Sequence, residues 1–324
     1  MWKIFFTIVL LTLPAHANEA SSDQSSAVIL AYQRVSENTH HEGNLRLNQF
    51  IEHINEIRRG GYNVLPLPTI IAALKNQTPL PQKTLAITFD GAFPSALNTA
   101  APILIKNDLP FTIFTPTENA DWKTLKKLNK SKLITLGIMS HQYTRITALP
   151  AAEQRRQINK ARSAFKEKTG KESQYFAYPF GEISNTLKSI LKEQNLTAAF
   201  GLHSGAAYEH TDTLQIPRFI MTENFGDITR FRNIINATAL PATDTEPQNW
   251  KLERATAPAI GFTLPKPPQN LSCFISGQEK PTLEIIGNRV EIRPQEPITA
   301  NRTRINCTQK EGKSWRWLGM LLHR

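Results

Sequence analysis

Short apolar runs alternate with amphipathic stretches along most of this chain, and after position 257 the amphipathic stretches stop. Ala27 to Val35 is a nearly continuous apolar run, the pattern of a strand buried on both faces. Leu45 to Arg59 places Leu47, Phe50, Ile51, Ile54 and Ile57 at helical spacing, and Gly60-Gly61 ends it. Tyr62 to Leu67 reads as a short extended piece and Thr69 to Lys75 as a short helix. Strands are then predicted over Thr84–Phe89, Pro110–Thr115, Leu133–Met139, Tyr175–Tyr178, Ala198–Leu202 and Leu214–Phe219. Helices are predicted between them over Ser95–Asn107, Trp122–Asn129, Ala151–Lys168 and Asn185–Glu193. Strands separated by helices imply a parallel sheet covered on its faces, and about seven of them a closed or nearly closed barrel. Barrels of this kind gather their active groups at the C-terminal ends of the strands. Asp90, His141 and the Tyr178–Gly181 turn fall at such ends.

Residues 242–257 are polar and proline-rich and read as a linker. Beyond them lie six short strand-like runs: Ile260–Leu264, Leu271–Ile275, Thr282–Ile286, Arg289–Arg293, Thr303–Thr308 and Ser314–Leu321. Pro, Gly and Asn separate them, and Ile286-Gly-Asn-Arg-Val is a tight-turn signal. Residues 258–324 are therefore expected to form a small β-sandwich-like domain. Trp315 and Trp317 share one face of its last strand, as core packing or as a glycan platform. The chain has two cysteines, Cys273 and Cys307, and a pair isolated in this way in an exported protein reads as a disulfide.

The N-terminus supplies the reason to expect export. Lys3 is followed by the apolar run Ile4 to Leu13 and by Ala15-His16-Ala17, a small-x-small cleavage site. The run of about ten residues is short for a membrane span. Residues 1–17 are thus expected to be a signal peptide, 18–26 a polar disordered lead-in and 27–241 the barrel, in a protein that is periplasmic or secreted with no transmembrane segment after signal removal. A formal net charge of +11 suits anionic envelope polymers, lipid head groups or acidic glycans. No nucleic-acid-binding motif is visible.

Leu85-Ala-Ile-Thr-Phe-Asp90-Gly91 ends an apolar strand on a lone carboxylate. It resembles the first motif of the polysaccharide deacetylases (the NodB-homology, carbohydrate esterase 4-like family), which usually reads Thr-Phe-Asp-Asp-Gly. Ser140-His141-Gln-Tyr-Thr-Arg145 is similar to the stretch where that family has two metal histidines four positions apart. Phe176-Ala-Tyr-Pro-Phe-Gly181 is similar to its Pro-x-Gly groove turn, and Ile216-Pro-Arg-Phe219 to its late Pro-Arg strand. Arg304-Ile-Asn-Cys-Thr and Trp315-Arg-Trp-Leu-Gly resemble the β-domain of some exported members. The resemblance implies a NodB-like distorted (β/α)7 barrel followed by a small all-β domain.

It also implies metal-assisted amide hydrolysis. One aspartate and two histidines hold a divalent ion, usually zinc, a second aspartate is the base, and a late histidine protonates the leaving amine. Carried onto this chain, Asp90 stands at the base position and His141 at the one retained metal-ligand position. Gly91 replaces the metal aspartate, Arg145 the second metal histidine, and Gln33 a histidine many relatives have after the first strand. A zinc site of this type needs three protein ligands, and a guanidinium offers no lone pair. Asp121, His40, His41, His203 and His210 are available to rebuild a site, though none has the family spacing.

Several readings of these residues stand side by side. Asp90 caps its loop, pairs with Arg145, or retains the base role; His141 is a ligand or a satisfied buried histidine. Tyr178, Pro179, Phe180, Gly181, Arg145 and Arg218 are the expected groove residues, with Tyr178 and Phe180 able to stack on sugar rings. The expectation is an exported, catalytically impaired deacetylase-like protein that binds an N-acetylated envelope polysaccharide (peptidoglycan or an exopolysaccharide) or an envelope protein. It has no cofactor unless zinc or another divalent metal returns to a rebuilt site. The alternative is an active metal-dependent N-deacetylase using Asp90 and His141.

Overall fold

The computed structural model describes residues 25–324. The expected signal peptide, and all but the last two residues of the expected lead-in, lie outside the described residues; Ser26 already belongs to the first strand. The barrel strands are β1 (Ser26–Tyr32), β2 (Thr84–Asp90), β3 (Phe111–Thr115), β4 (Ile134–Ile138), β5 (Tyr175–Ala177) and β6 (Ala198–Phe200). They lie side by side in that order, all parallel. Ala207–Tyr208 adds an antiparallel seventh strand on the free edge of β1. The result is a curled half-barrel, which residues 216–220 help to close: Ile216 bridges to Phe200 of β6, and Phe219 pairs with Leu30 of β1.

Helices α1 (Leu47–Arg59), α2 (Leu67–Asn76), α3 (Ala101–Lys106), α4 (Trp122–Leu128), α5 (Ala151–Thr169), α6 (Asn185–Glu193) and α7 (Ile228–Ile235) accompany the sheet. Asp121, Ser184 and Asp227 accept N–H bonds at the starts of α4, α6 and α7, which satisfies donors that have no partner within a helix. In α1 the buried face is Gln49, Phe50, His53, Ile54 and Ile57, while Leu47 and Ile51 are exposed. The apolar pattern alone placed both on the buried face. It also passed over α7, whose Phe231 stacks on His53 with centroids 3.7 Å apart.

His53 is a structural histidine. Its Nε2–H donates to the Gly226 carbonyl, so Nδ1 accepts from the Tyr32 hydroxyl. Burial holds it down at about 4. His203, packed edge-on against Trp250, is held at about 3, again chiefly by burial. Both are neutral in the folded chain, whereas the unfolded chain takes up protons below about pH 6.5. Their contribution is complete above that pH and is lost as pH falls toward the folded values. Between pH 7 and 4.5 the loss should reach about 2–3 kcal/mol for each histidine. Urea denaturation across this range checks it: His203→Gln should remove one histidine's share of the slope, and an unchanged slope would refute the assignment.

The C-terminal region contains β7 (Thr238–Ala239), β8 (Thr243–Glu246), β9 (Ile260–Thr263), β10 (Leu271–Ile275), β11 (Thr282–Ile286), β12 (Arg289–Arg293), β13 (Arg302–Glu311) and β14 (Ser314–His323). They form two four-stranded sheets, β7-β14-β13-β10 and β8-β9-β12-β11. The stretch expected to be a linker is therefore partly strand, because β8 pairs with β9. Cys273 and Cys307 face each other in register on β10 and β13 and are disulfide-bonded.

This β-rich region packs on the barrel. Trp317 sets its ring edge-on to Phe219 at 5.1 Å, and the His323 ring bonds the Ile183 carbonyl. A Cβ on Gly319 would lie 2.2 Å from the Ser204 carbonyl oxygen, so only glycine permits this approach. Trp317 is thus packing between the two regions, with its indole N–H on Asn306. Among the described residues no helix is long and apolar enough to cross a membrane.

Candidate functional site

Asp90 ends β2, and its carboxylate is 1% exposed. Arg218 grips both oxygens, Nη1 and Nη2 each donating across 2.7 Å. The closing segment 216–220 makes this possible by carrying Arg218 into the barrel, where it is fully buried. Its Nε donates to the Gly201 carbonyl at 2.9 Å and its Nη1 also to Thr88 Oγ1 at 3.1 Å. The rings of Phe114 and Phe200 flank the guanidinium at 5.4 and 5.9 Å. A bidentate fork of this kind is the geometry in which a buried ion pair compensates its own desolvation. The Asp90 partner is Arg218, and the pairing with Arg145 considered from sequence does not form.

Arg145 is committed elsewhere. Its Nε donates to Glu182 Oε1 at 2.8 Å, and Nη2 donates to the Arg324 carbonyl oxygen. Glu182 is fully buried, accepts from Thr147 Oγ1 at 2.9 Å, and has Arg302 of β13 within 3.6 Å. The residue at the second metal-histidine position thus ties the turn after β5 to the end of the last strand. Its expected place in the groove is corrected accordingly, and the Arg218 side chain likewise belongs to the barrel interior.

Gly91 has φ +104°, a conformation that side chains other than glycine rarely adopt. A Cβ there would lie 2.2 Å from Cε2 of Phe93. The place of a side chain at 91 is filled by an aromatic ring. His141 bonds Thr117 Oγ1 through Nδ1 at 3.0 Å and lines a shallow surface hollow with Arg155, Arg156, Asn159 and Lys160 of α5. Of the reserve ligands, Asp121 caps α4, His40 bonds Thr39, His41 bonds Glu223, His203 is buried against Trp250, and His210 lies against Tyr208. Among the described residues no three His, Cys, Asp or Glu side chains are grouped to hold a metal ion. The zinc that the resemblance implied does not fit this arrangement, because one ligand position is filled by Phe93 and another is a cation bonded to Glu182.

Tyr178 is fully buried and donates its hydroxyl to the Leu214 carbonyl at 2.8 Å. It is core, as are Pro179 and Gly181, so of the expected groove turn only Phe180 is partly exposed. Phe180 sits in the left-handed region at φ +58° and stacks on Tyr143 at 4.9 Å, with ring planes 19° apart. Tyr143 meets Phe93 edge-on at 6.0 Å. Arg34 lies 3.5 Å over Phe93 and Arg302 5.1 Å over Phe180. A row thus crosses the strand ends in the order Arg34, Phe93, Tyr143, Phe180, Arg302. Gln33 donates to the Tyr143 hydroxyl at 3.4 Å. Burial, and then the negative charge of Asp90, push that hydroxyl well above the usual tyrosine range.

Of this row, sequence reasoning named Phe180 and missed Phe93 and Tyr143. The signal for these two lay in or beside the quoted motifs, since Phe93 stands two positions after Gly91 and Tyr143 sits between His141 and Arg145. Partly exposed rings flanked by guanidinium groups suit the apolar faces and hydroxyl rims of sugars.

The polysaccharide deacetylase family model matches residues 77–199. No curated protein matches the chain. Among solved structures, the chain is similar to the Streptococcus pyogenes deacetylase PplD in complex with acetate (18% identity, TM-score 0.59, covering 65% of this chain and 98% of that one). It is similar to IcaB from Ammonifex degensii (22%, 0.58, covering 65% and 97%). It is also similar to a de-N-acetylase from Aggregatibacter actinomycetemcomitans (18%, 0.57, covering 64% and 99%). At these identities the likeness is one of fold. The chain therefore has a curled α/β half-barrel fold similar to that of these deacetylases, with a distinct C-terminal β-rich region.

Proposed function

We propose that this protein is an exported member of the polysaccharide deacetylase family that binds an N-acetylated envelope glycan without metal-dependent hydrolysis. The carrying observation is the filled ligand position: Phe93 occupies the space a side chain at residue 91 would need. The commitment of Arg145 to Glu182 supports it. In this reading the glycan lies along the Phe93–Tyr143–Phe180 row, and the β-rich region, through Arg302, forms one wall. An envelope protein is the other occupant considered for the same surface.

Calorimetric titration of residues 18–324 with zinc and cobalt, alongside His141→Ala, tests the metal half. No specific binding is expected. Sub-micromolar binding lost in His141→Ala would overturn it and restore the active-deacetylase reading built on Asp90 and His141. For the glycan half, Tyr143→Ala should weaken binding of an N-acetylglucosamine oligomer by up to about tenfold, the worth of one aromatic contact. Tyr178→Phe, which only breaks a bond to the Leu214 carbonyl, should leave affinity unchanged. Equal affinity in Tyr143→Ala and the parent protein would move the glycan off this row.

A further inference from the structure

The net charge of this chain is concentrated in one part of it. Residues 121–171 hold thirteen Lys and Arg against three Asp and Glu, while the rest of the chain holds 25 against 24. That segment is α4, β4 and α5 with their loops. The two helices are neighbours: Trp122 of α4 meets the Phe165 ring of α5 at 6.2 Å, and Lys126 of α4 acts on the Glu167 carboxylate of α5. Lys123, Lys126, Lys127, Lys130, Lys132, Arg155, Arg156, Lys160, Lys166 and Lys171 are all exposed.

Some of these charges are neutralised locally. Arg155 pairs with Glu193, Arg156 with Glu153, and Lys166 with Glu172. Among the described residues Lys127, Lys130, Lys132 and Lys171 have no ion-pair partner, and Lys126 and Lys160 act only at longer range on Glu167 and Glu153. Cations recur about once per turn along both helices, a repeat of about 5.4 Å. The hollow holding His141 lies on this face and is lined by Arg155, Arg156 and Lys160. The face therefore runs to the strand end that carries His141.

We propose that the α4–α5 face is a binding surface for a linear acidic polysaccharide, one bearing carboxylate or phosphate groups along its length. A run of like charge concentrates counter-ions of the opposite sign and is best neutralised by a polymer with repeating negative charge. The large apolar side chains exposed elsewhere (Leu47, Ile51, Phe225, Phe274, Ile285 and Ile286) are absent from this face, so it offers no wedge for insertion among lipids. It also lacks an exposed aromatic platform for nucleic-acid bases, since Trp122 is packed on Phe165. The inference rests on charge placement and is independent of what the aromatic row holds.

Polygalacturonate is the probe, with a neutral N-acetylglucosamine oligomer, phosphatidylglycerol vesicles and duplex DNA alongside. Residues 18–324 should bind polygalacturonate at low ionic strength and release it steeply as salt rises. Lys126→Glu, Lys127→Glu and Lys160→Glu together should weaken this at least about tenfold without changing affinity for the neutral oligomer. The milder triple glutamine variant, verified as folded by its thermal melt, should show a smaller loss in the same direction. Absence of polygalacturonate binding, or affinity within about twofold of the parent in both triples, would overturn the proposal. So would tighter binding to the vesicles or to DNA, which would make the face a membrane or nucleic-acid surface. Failure of the neutral oligomer alone would count against the aromatic row and leave this face standing.

Discussion

Gly91→Asp combined with Arg145→His, the change that writes the family's metal residues back into the chain, is expected to yield an unstable protein with no added zinc affinity. From the motif alone the opposite follows, since three ligands would then stand at the family positions. The backbone at residue 91 has φ +104°, which costs a residue bearing a Cβ about 1–3 kcal/mol. The new Cβ would meet the Phe93 ring at 2.2 Å, so that ring must move and give up its contacts with Tyr143 and Arg34. Replacing Arg145 removes the 2.8 Å donor of the buried Glu182, leaving that carboxylate to Thr147 and to Arg302 at 3.6 Å. Loss of one partner of a largely buried pair is itself a matter of a few kcal/mol. Together the two changes should cost about 4 kcal/mol or more if the effects add. Urea denaturation of parent and variant measures this, and calorimetry measures zinc. Sub-micromolar zinc binding with an unchanged denaturation midpoint would mean that Phe93 swings aside freely and that the motif reading was the better guide. Adding Phe93→Ala should relieve the clash while leaving the backbone strain.

The second large effect is expected at Arg218. Arg218→Leu leaves the Asp90 carboxylate buried with no counter-charge, and removal of one member of such a pair costs about 3–5 kcal/mol. It also strips the donor from the Gly201 carbonyl. The double variant Asp90→Leu/Arg218→Leu should recover much of that loss, because apolar side chains of similar volume replace buried ion pairs at little or no cost. A double-mutant cycle therefore separates the pair from the packing. A loss below about 1 kcal/mol in Arg218→Leu would contradict a fully buried, bidentate pair. Arg145→Ala makes the contrast: it should act through Glu182 and the junction with the β-rich region and leave the Asp90–Arg218 coupling intact.

These two residues show what motif spacing conveys and what it does not. Asp90, Arg145 and Arg218 were all visible as charged residues of the quoted motifs. Which arginine meets the aspartate depends on the segment 216–220 crossing from β6 to β1, a non-local event with no trace in the local pattern. Tyr178 illustrates the reverse error. An aromatic residue in a groove motif suggested an exposed ring, yet its hydroxyl reaches Leu214 from inside the core. Leu47 and Ile51 of α1 were misplaced for a related reason: apolar spacing marks a stripe, but the neighbours decide how wide a stripe is covered, and here Gln49 and His53 take part of it.

The sequence by itself determined the alternation of strands and helices, and with it a parallel, nearly closed barrel. It determined the all-β character of the C-terminal region and the pairing of its two cysteines. It also determined that Asp90 and His141 lie at strand ends, because hydrophobic period and turn residues act over a few positions and are written locally. Only the tertiary structure decided that Phe93 fills the place beside Gly91, that Arg145 joins Glu182 and the last strand, and that Phe93, Tyr143 and Phe180 stand in one row between Arg34 and Arg302. Phe93 and Gly91 share one loop, and the conformation of that loop brings them together; the other contacts join residues from separate strand ends. Curling of the sheet and docking of the β-rich region against it bring them together, and no local pattern along the chain encodes either.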